Sequence, residues 1–229
     1  MATDIERRYA RGAVELRASK DGGTLAGYAA AFNRSSQNLG GFVERIAPGA
    51  FTRTLSHAGD VVARFNHSDD WLLGRTSSGT LRVWADERGL PYEIDLPETQ
   101  AGRDVRELAR RGDVRHSSFA FHAIRDDWST TADGTPLREL REVQLIDVAP
   151  VTSPAYLDTD VSLRSLAMRL GTGIDDVAQI ARRGGLAALI THELPPAGDE
   201  PAVTVADPSE PHSAPIDVRA RRAEWISRR

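Results

Sequence analysis

The chain has 229 residues, 40% hydrophobic and 27% charged, with a formal net charge of -4, proportions that suit one globular domain with tails and do not support a general nucleic-acid surface. No run approaches the roughly 18 consecutive apolar residues of a membrane span, and Met1-Ala2-Thr3-Asp4-Ile5-Glu6-Arg7-Arg8 lacks the apolar core of a signal peptide, so the protein is expected to stay in the compartment where it is made. Zero cysteines exclude disulfides, a thiol nucleophile and thiolate metal sites, and the six histidines show no H-E-x-x-H spacing; neither a metal nor a cofactor is expected.

Residues 1–12 read as an N-terminal arm. From Val14 to Val151, short β-like runs alternate with turn signals, which suits a small closed or nearly closed sheet better than a βαβ array. The first predicted strand is Thr24–Phe32, followed by a helix over Pro48–Ser56 with proline in its first turn. A strand is predicted over Asp60–Phe65. Leu81–Asp86 and Tyr92–Leu96 flank Glu87-Arg88-Gly89-Leu90, which reads as a hairpin turn with a glycine available for a positive φ. Glu98–Arg111 carries Ala101, Val105, Leu108 and Ala109 on one helical face, and Gly112 ends it. That helix delivers the chain directly into a predicted strand over Val114–Ile124, and Leu140–Val148 forms the last strand.

After Asp158 the character changes. Ile174–Arg183 is a predicted helix and Gly184–Thr191 a short apolar turn, so residues 166–192 read as a short helical segment. From Glu193 to Asp217 there are six prolines, six acids and no lysine or arginine, a composition expected to stay extended or disordered. Val218–Arg229 holds five arginines with Trp225 and Ile226 and reads as a short basic docking helix.

The residue pair that carries chemistry is His67, in Phe65-Asn66-His67-Ser68-Asp69-Asp70, with Ser118, in Gly112-Asp113-Val114-Arg115-His116-Ser117-Ser118-Phe119-Ala120-Phe121. A serine hydroxyl is a weak nucleophile near neutral pH until a base takes its proton, and imidazole suits that task. Strand alternation puts His116, Ser118, Ala120 and His122 on one face and Ser117, Phe119 and Phe121 on the other. With the phenylalanines as core anchors, Ser118 faces away from the core. Ser117 is the competing serine, and because a shift of one residue reverses the face, the two assignments exclude one another.

Around this pair the chain resembles the prohead (head maturation) serine proteases of tailed bacteriophages, whose fold is similar to that of the herpesvirus capsid-assembly proteases. The matching segments are Gly27-Tyr28-Ala29-Ala30-Ala31-Phe32-Asn33, Phe42-Val43-Glu44-Arg45-Ile46-Ala47-Pro48-Gly49-Ala50-Phe51, Asn66-His67 followed by Leu73-Gly74-Arg75-Thr76, the Ser118 segment, and Leu145-Ile146-Asp147-Val148-Ala149-Pro150-Val151-Thr152-Ser153-Pro154-Ala155-Tyr156. They stand in the family's order across residues 11–165, and the protease domain is placed at 13–165.

The resemblance implies a herpesvirus-protease-like α+β fold, mainly β, with peripheral helices around the small barrel and a flexible C-terminal tail. It implies a serine endopeptidase with Ser118 as nucleophile, His67 as general base and Asp147 as the residue that orients His67. The herpesvirus enzymes use a second histidine in the third role, so His116 and His122 stand as alternatives to Asp147. Asp69 and Asp70 read as solvated turn residues, and His57, His192 and His212 have no comparable context. Arg115, Arg138 and Arg141 are open candidates for oxyanion donors. The implied partners are the major capsid protein with its scaffolding segment and the protease itself, in the host cytoplasm inside the immature head, with a homodimer as a further expectation. The contrasting reading is a non-catalytic capsid assembly or scaffolding protein of the same fold.

Overall fold

The computed structural model describes residues 5–10, 14–17, 23–56, 59–153 and 159–193. The linker expected beyond Glu193, the basic helix expected at 218–229, His57 and His212 lie outside the described residues. The elements run β1 (Glu6–Ala10), β2 (Glu15–Arg17), β3 (Thr24–Ala31), β4 (Val43–Ile46), α1 (Thr52–Ser56), β5 (Val62–Arg64), β6 (Leu72–Arg75), β7 (Leu81–Val83), β8 (Gly89–Asp95), α2 (Gln100–Arg111), β9 (His116–Thr130), β10 (Pro136–Val151), α3 (Thr159–Leu170), α4 (Ile174–Arg182) and α5 (Leu186–Glu193). A 3-10 turn at Phe65–His67 links β5 to β6. The fold is mixed α+β and mainly strand.

The β9–β10 hairpin organises the larger sheet, whose strand order is β1-β9-β10-β5-β6. Its strands, of 15 and 16 residues, run well beyond the predicted ones. Charged stretches such as Arg125-Asp126-Asp127 and Arg138-Glu139 mask the apolar alternation that marks a strand. On its other edge β10 pairs in parallel first with β4 and then with β5. Between these pairings the turn before α1 and α1 itself satisfy its backbone: Val143 N donates to Ala50 O at 2.9 Å, and Leu145 N to Thr54 Oγ1 at 3.1 Å.

The second sheet has the order β2-β3-β8-β7. Its Leu25, Leu81, Tyr92 and Ile94 join Phe119, Phe121, Val143 and Leu145 of the first sheet in one buried core. The expected closed or nearly closed barrel does not form. Among the described residues no ladder connects one sheet to the other. Edge strand β1 lies beside β3 without pairing to it, and a pocket of about 420 Å³ next to them is lined by residues that include Tyr9, Ala10, Ala30, Ala31, Arg34 and Gln37. The β7–β8 hairpin forms as expected, but Gly89 opens β8 and does not adopt a positive φ. A Cβ there would lie 2.0 Å from the Ala30 carbonyl oxygen, so it is the close approach of β3 that requires glycine.

Helix α2 follows its sequence signals: Thr99 Oγ1 accepts from Gly102 N at 3.3 Å, Val105 is fully buried, and Gly112 caps the C-terminus. The apolar turn expected at 184–191 is instead largely helical. Leu186 and Ile190 lie one turn apart, so they share a face, and they bury with Leu163, Leu166 and Val177 against Leu39, Phe42 and Trp128. Helix α3 spans the 165/166 boundary drawn from sequence.

An ionic cluster joins the N-terminal strand to this framework. Arg138 is fully buried and reaches Asp126, Glu6 and Glu44, while Arg8 reaches Glu44, Glu6 and Ser162 on α3. Buried charges require such pairing, and removing one partner leaves the others uncompensated. Arg138→Ala is therefore expected to lower the unfolding free energy by about 3–5 kcal/mol, read from the denaturant midpoint. Burial pushes the Glu6 carboxyl up, but the hydrogen bond and charge of Arg138, helped by Arg8 and Ser162, outweigh it and hold the group below its ordinary 4.5. A carboxylate depressed in this way stabilises the fold above its unfolded pKa, and its contribution is lost as pH falls through the folded value. Stability should consequently fall more steeply below pH 4.5 in the wild type than in Glu6→Gln.

Candidate active site

Three adjacent strands bring the sequence-predicted residues together. Ser118 lies on β9, Asp147 on β10 and His67 in the turn that leaves β5. The ladder sets Asp147 opposite Ala120, two residues beyond Ser118 on the same face, after a register shift between Leu145 and Asp147. That irregularity puts the carboxylate on the serine's side of the sheet.

His67 is turned onto this face by an unusual backbone. Asn66 and His67 both occupy the left-handed region, with φ of 54° and 58°, a conformation asparagine tolerates better than most residues and one that the surroundings must hold. Asn66 Oδ1 accepts from Thr152 N at 3.0 Å, which ties the turn to the end of β10. Ser68 N also donates to Phe65 O, at 3.1 Å.

His67 Nδ1 lies 2.7 Å from Asp147 Oδ1, and His67 Nε2 lies 2.6 Å from Ser118 Oγ. With Asp147 accepting a proton held on Nδ1, Nε2 presents its lone pair to the serine hydroxyl. This is the arrangement in which an imidazole can take the Oγ proton while a carboxylate fixes the tautomer. The His67 and Asp147 side chains are only 7% and 3% exposed, so water competes little for these bonds. Both ring nitrogens of His67 are thus occupied, and neither His116 nor His122 bonds to it among the described residues.

Ser117 points into the core. Its hydroxyl lies 2.8 Å from Tyr92 Oη, and burial pushes the Tyr92 phenol well above its ordinary range. On β3, Gly27 leaves room for this pair, since a Cβ there would stand 2.8 Å from Ser117 Oγ. Of the two serines, only Ser118 meets an imidazole.

The Ser118 side has one feature that sequence reasoning missed. β1 runs antiparallel beside β9 with Tyr9 opposite Ser118, and the Ser118 hydroxyl is within 2.8 Å of the Arg8 carbonyl oxygen. Ser118 has no exposed surface. Two acceptors, His67 Nε2 and Arg8 O, therefore face a single hydroxyl proton. The alternating polar run Glu6-Arg7-Arg8-Tyr9 carries no apolar strand pattern, so nothing in the sequence announced this strand.

Arg64 also went unnoticed: its Nη1 donates to Asp147 Oδ2 at 3.2 Å, and its Nη2 meets Asp69 Oδ1 at 2.8 Å. Asp69, read as a solvated turn residue, is mostly exposed but has this partner. Of the open oxyanion candidates, Arg138 is engaged in the buried ionic cluster, and Arg141 pairs with Asp127 and Glu139. Arg115 has no side-chain hydrogen bond or ion pair among the described residues. None of the three contacts Ser118. Among the described residues, no cluster of three or more His, Asp and Glu could hold a metal ion, and no helix is long and apolar enough to cross a membrane.

A sequence model of the family described as caudovirus prohead serine protease matches residues 12–171. No protein of curated function matches the chain. Among solved structures, the capsid assembly protease of bacteriophage T4 is similar at a TM-score of 0.47 and 10% sequence identity, over 64% of this chain and 96% of that one.

Proposed function

The chain belongs to the caudovirus prohead serine protease family and is thereby a peptidase of capsid maturation, and from that premise we propose that it is an endopeptidase acting through Ser118, His67 and Asp147. The observation that carries this reading is the unbroken line from Asp147 Oδ1 through His67 to Ser118 Oγ, with contacts of 2.7 and 2.6 Å. In the proposed mechanism His67 Nε2 takes the hydroxyl proton as Oγ attacks a peptide carbonyl carbon, and Asp147 stabilises the imidazolium that forms. The imidazolium then gives its proton to the leaving amine. Water, deprotonated by the same nitrogen, releases the acyl group from Ser118.

The proposed substrates are the scaffolding segment of the major capsid protein, inside the immature head, and this chain itself. Assembling proheads from the uncleaved major capsid protein of the same phage together with the full chain tests the reading. A shortened capsid protein with one defined new terminus is expected; a capsid protein left at full length in assembled proheads would count against it.

The burial of Ser118 bears on how this chemistry starts. With β1 in place, the Arg8 carbonyl holds the position beside Oγ that a substrate peptide would need, so the described arrangement is closed to substrate. A probe that requires an open site reacts in proportion to the open fraction. Removing residues 1–10 is expected to speed labelling of Ser118 by a fluorophosphonate about tenfold or more, measured by intact mass against time. Full burial of the serine is also what a non-catalytic assembly protein of this fold would show. That second reading predicts no labelling at Ser118 with or without β1.

A further inference from the structure

The carboxylate of Asp147 has two oxygens and, among the described residues, two side-chain donors. His67 Nδ1 takes Oδ1, and Arg64 Nη1 takes Oδ2. A carboxylate only 3% exposed is costly to keep ionised without such partners. Arg64 is well placed to be one of them: Asp147 pairs with Val62 in the parallel β10–β5 ladder, and Arg64, two residues beyond Val62, returns to the same face. The β5–β6 ladder carries an extra residue, Leu73, on the β6 side, and Arg64 still pairs with Leu72, so the alternation along β5 is kept. The other side of the guanidinium is held by Asp69, whose side chain is 85% exposed. The planar fork thus bridges a buried carboxylate and an exposed one, a geometry that arginine can satisfy and a point charge satisfies less well.

We propose that Arg64 is a positioning residue of the site, pinning Asp147 through Oδ2 so that Oδ1 stays directed at His67 Nδ1. It touches neither the imidazole nor the serine and acts through the carboxylate alone. Without it, Asp147 is free to rotate about χ2, and the Nδ1–H···Oδ1 bond that fixes the His67 tautomer is no longer held. The role rests on the peptidase reading for its consequence in catalysis, while the coupling of Arg64 to the His67–Asp147 bond stands apart from it.

The experiment separates the two. In full-length Ser118→Ala protein, the low-field proton resonance of His67 Nδ1–H reports the bond to Asp147 directly. It is expected to weaken in Arg64→Lys and to be lost to exchange in Arg64→Ala, returning when free guanidinium is added to Arg64→Ala. With Ser118 present, Arg64→Ala is expected to slow fluorophosphonate labelling about tenfold to a hundredfold, the scale on which misplacing a catalytic group acts, and guanidinium should restore much of the rate. A merely structural arginine would give no guanidinium-dependent return of the resonance. An Nδ1–H signal that is unchanged in Arg64→Ala overturns the proposal even if Ser118 is labelled. Absence of labelling in the wild type, with an Arg64-dependent resonance, would instead fault the peptidase reading. If Arg64→Ala does not fold, Asp69→Ala, which removes the acceptor on the outer side of the guanidinium, is expected to weaken the resonance, and no change in that variant overturns the proposal.

Discussion

Ser118→Ala is expected to abolish peptide cleavage, lowering turnover by about 10⁴ to 10⁶, the loss seen when a triad nucleophile is removed. The size of the effect follows from the absence of a substitute. Ser117, the adjacent hydroxyl, points through the sheet to Tyr92 and away from His67, and with no cysteine in the chain no thiol can take over. Ser117→Ala should therefore keep the cleavage that Ser118→Ala loses, at some cost in stability because the Tyr92 hydroxyl is left buried without its partner. The fold is expected to survive Ser118→Ala, since the Arg8 carbonyl loses only one side-chain donor. Product formation followed by mass spectrometry checks both variants, and equal processing by wild type and Ser118→Ala would reject the assignment.

Asp147→Asn should lower turnover by about 10⁴ while leaving the backbone in place. The reason is the direction of a proton. A carboxylate can only accept from Nδ1, which leaves Nε2 free to receive the serine proton; a carboxamide can donate to Nδ1 and stabilise the opposite tautomer, with Nε2–H aimed at Oγ. The substitution also removes the charge that balances a forming imidazolium in a site shielded from water. Asparagine retains an acceptor for Arg64, so the loss should be in kcat rather than in folding. Single-turnover cleavage and a thermal melt on the same sample separate the two contributions.

The site was legible because its parts fall on short motifs at recognisable elements. Asn66-His67 closes a β-like run, Ser118 immediately precedes Phe119 and Phe121, which anchor a strand, and Asp147 stands in an otherwise apolar run ending at a proline. Local pattern gave His67 and Ser118 as a candidate pair, and it was the resemblance of the five segments to the family that implied their roles and that of Asp147. The surrounding partners are not local: Arg64 and Asp147 are 83 residues apart in the chain and Arg8 and Ser118 are 110 apart, and no periodicity encodes a contact across that separation. Strand β1 escaped notice for a related reason. Its buried face is Glu6, Arg8 and Ala10, and the two charged residues are satisfied by Arg138 and Glu44 rather than by apolar packing, so it lacks the apolar alternation by which strands are read.

Three differences of architecture have equally specific causes. Residue type marks Gly89 as a turn glycine, whereas it is the approach of Ala30 that excludes a side chain there. Many short strands imply a barrel only where sheet edges meet, and strand spacing does not state whether they do; here β1 and β3 stay in separate sheets. The turn expected over 184–191 is confined to Arg183 and Gly184, immediately ahead of helix α5.

The central claim is that Ser118 is a nucleophile activated by His67 and Asp147, and the most direct measurement is the site of covalent attachment of a fluorophosphonate. Full-length chain and chain lacking residues 1–10 would be treated side by side and the adduct located by peptide mass spectrometry. The account predicts one adduct, on Ser118, formed faster without β1 and absent from His67→Ala. A folded chain without β1 that carries no adduct on Ser118, or carries it on Ser117, would contradict it.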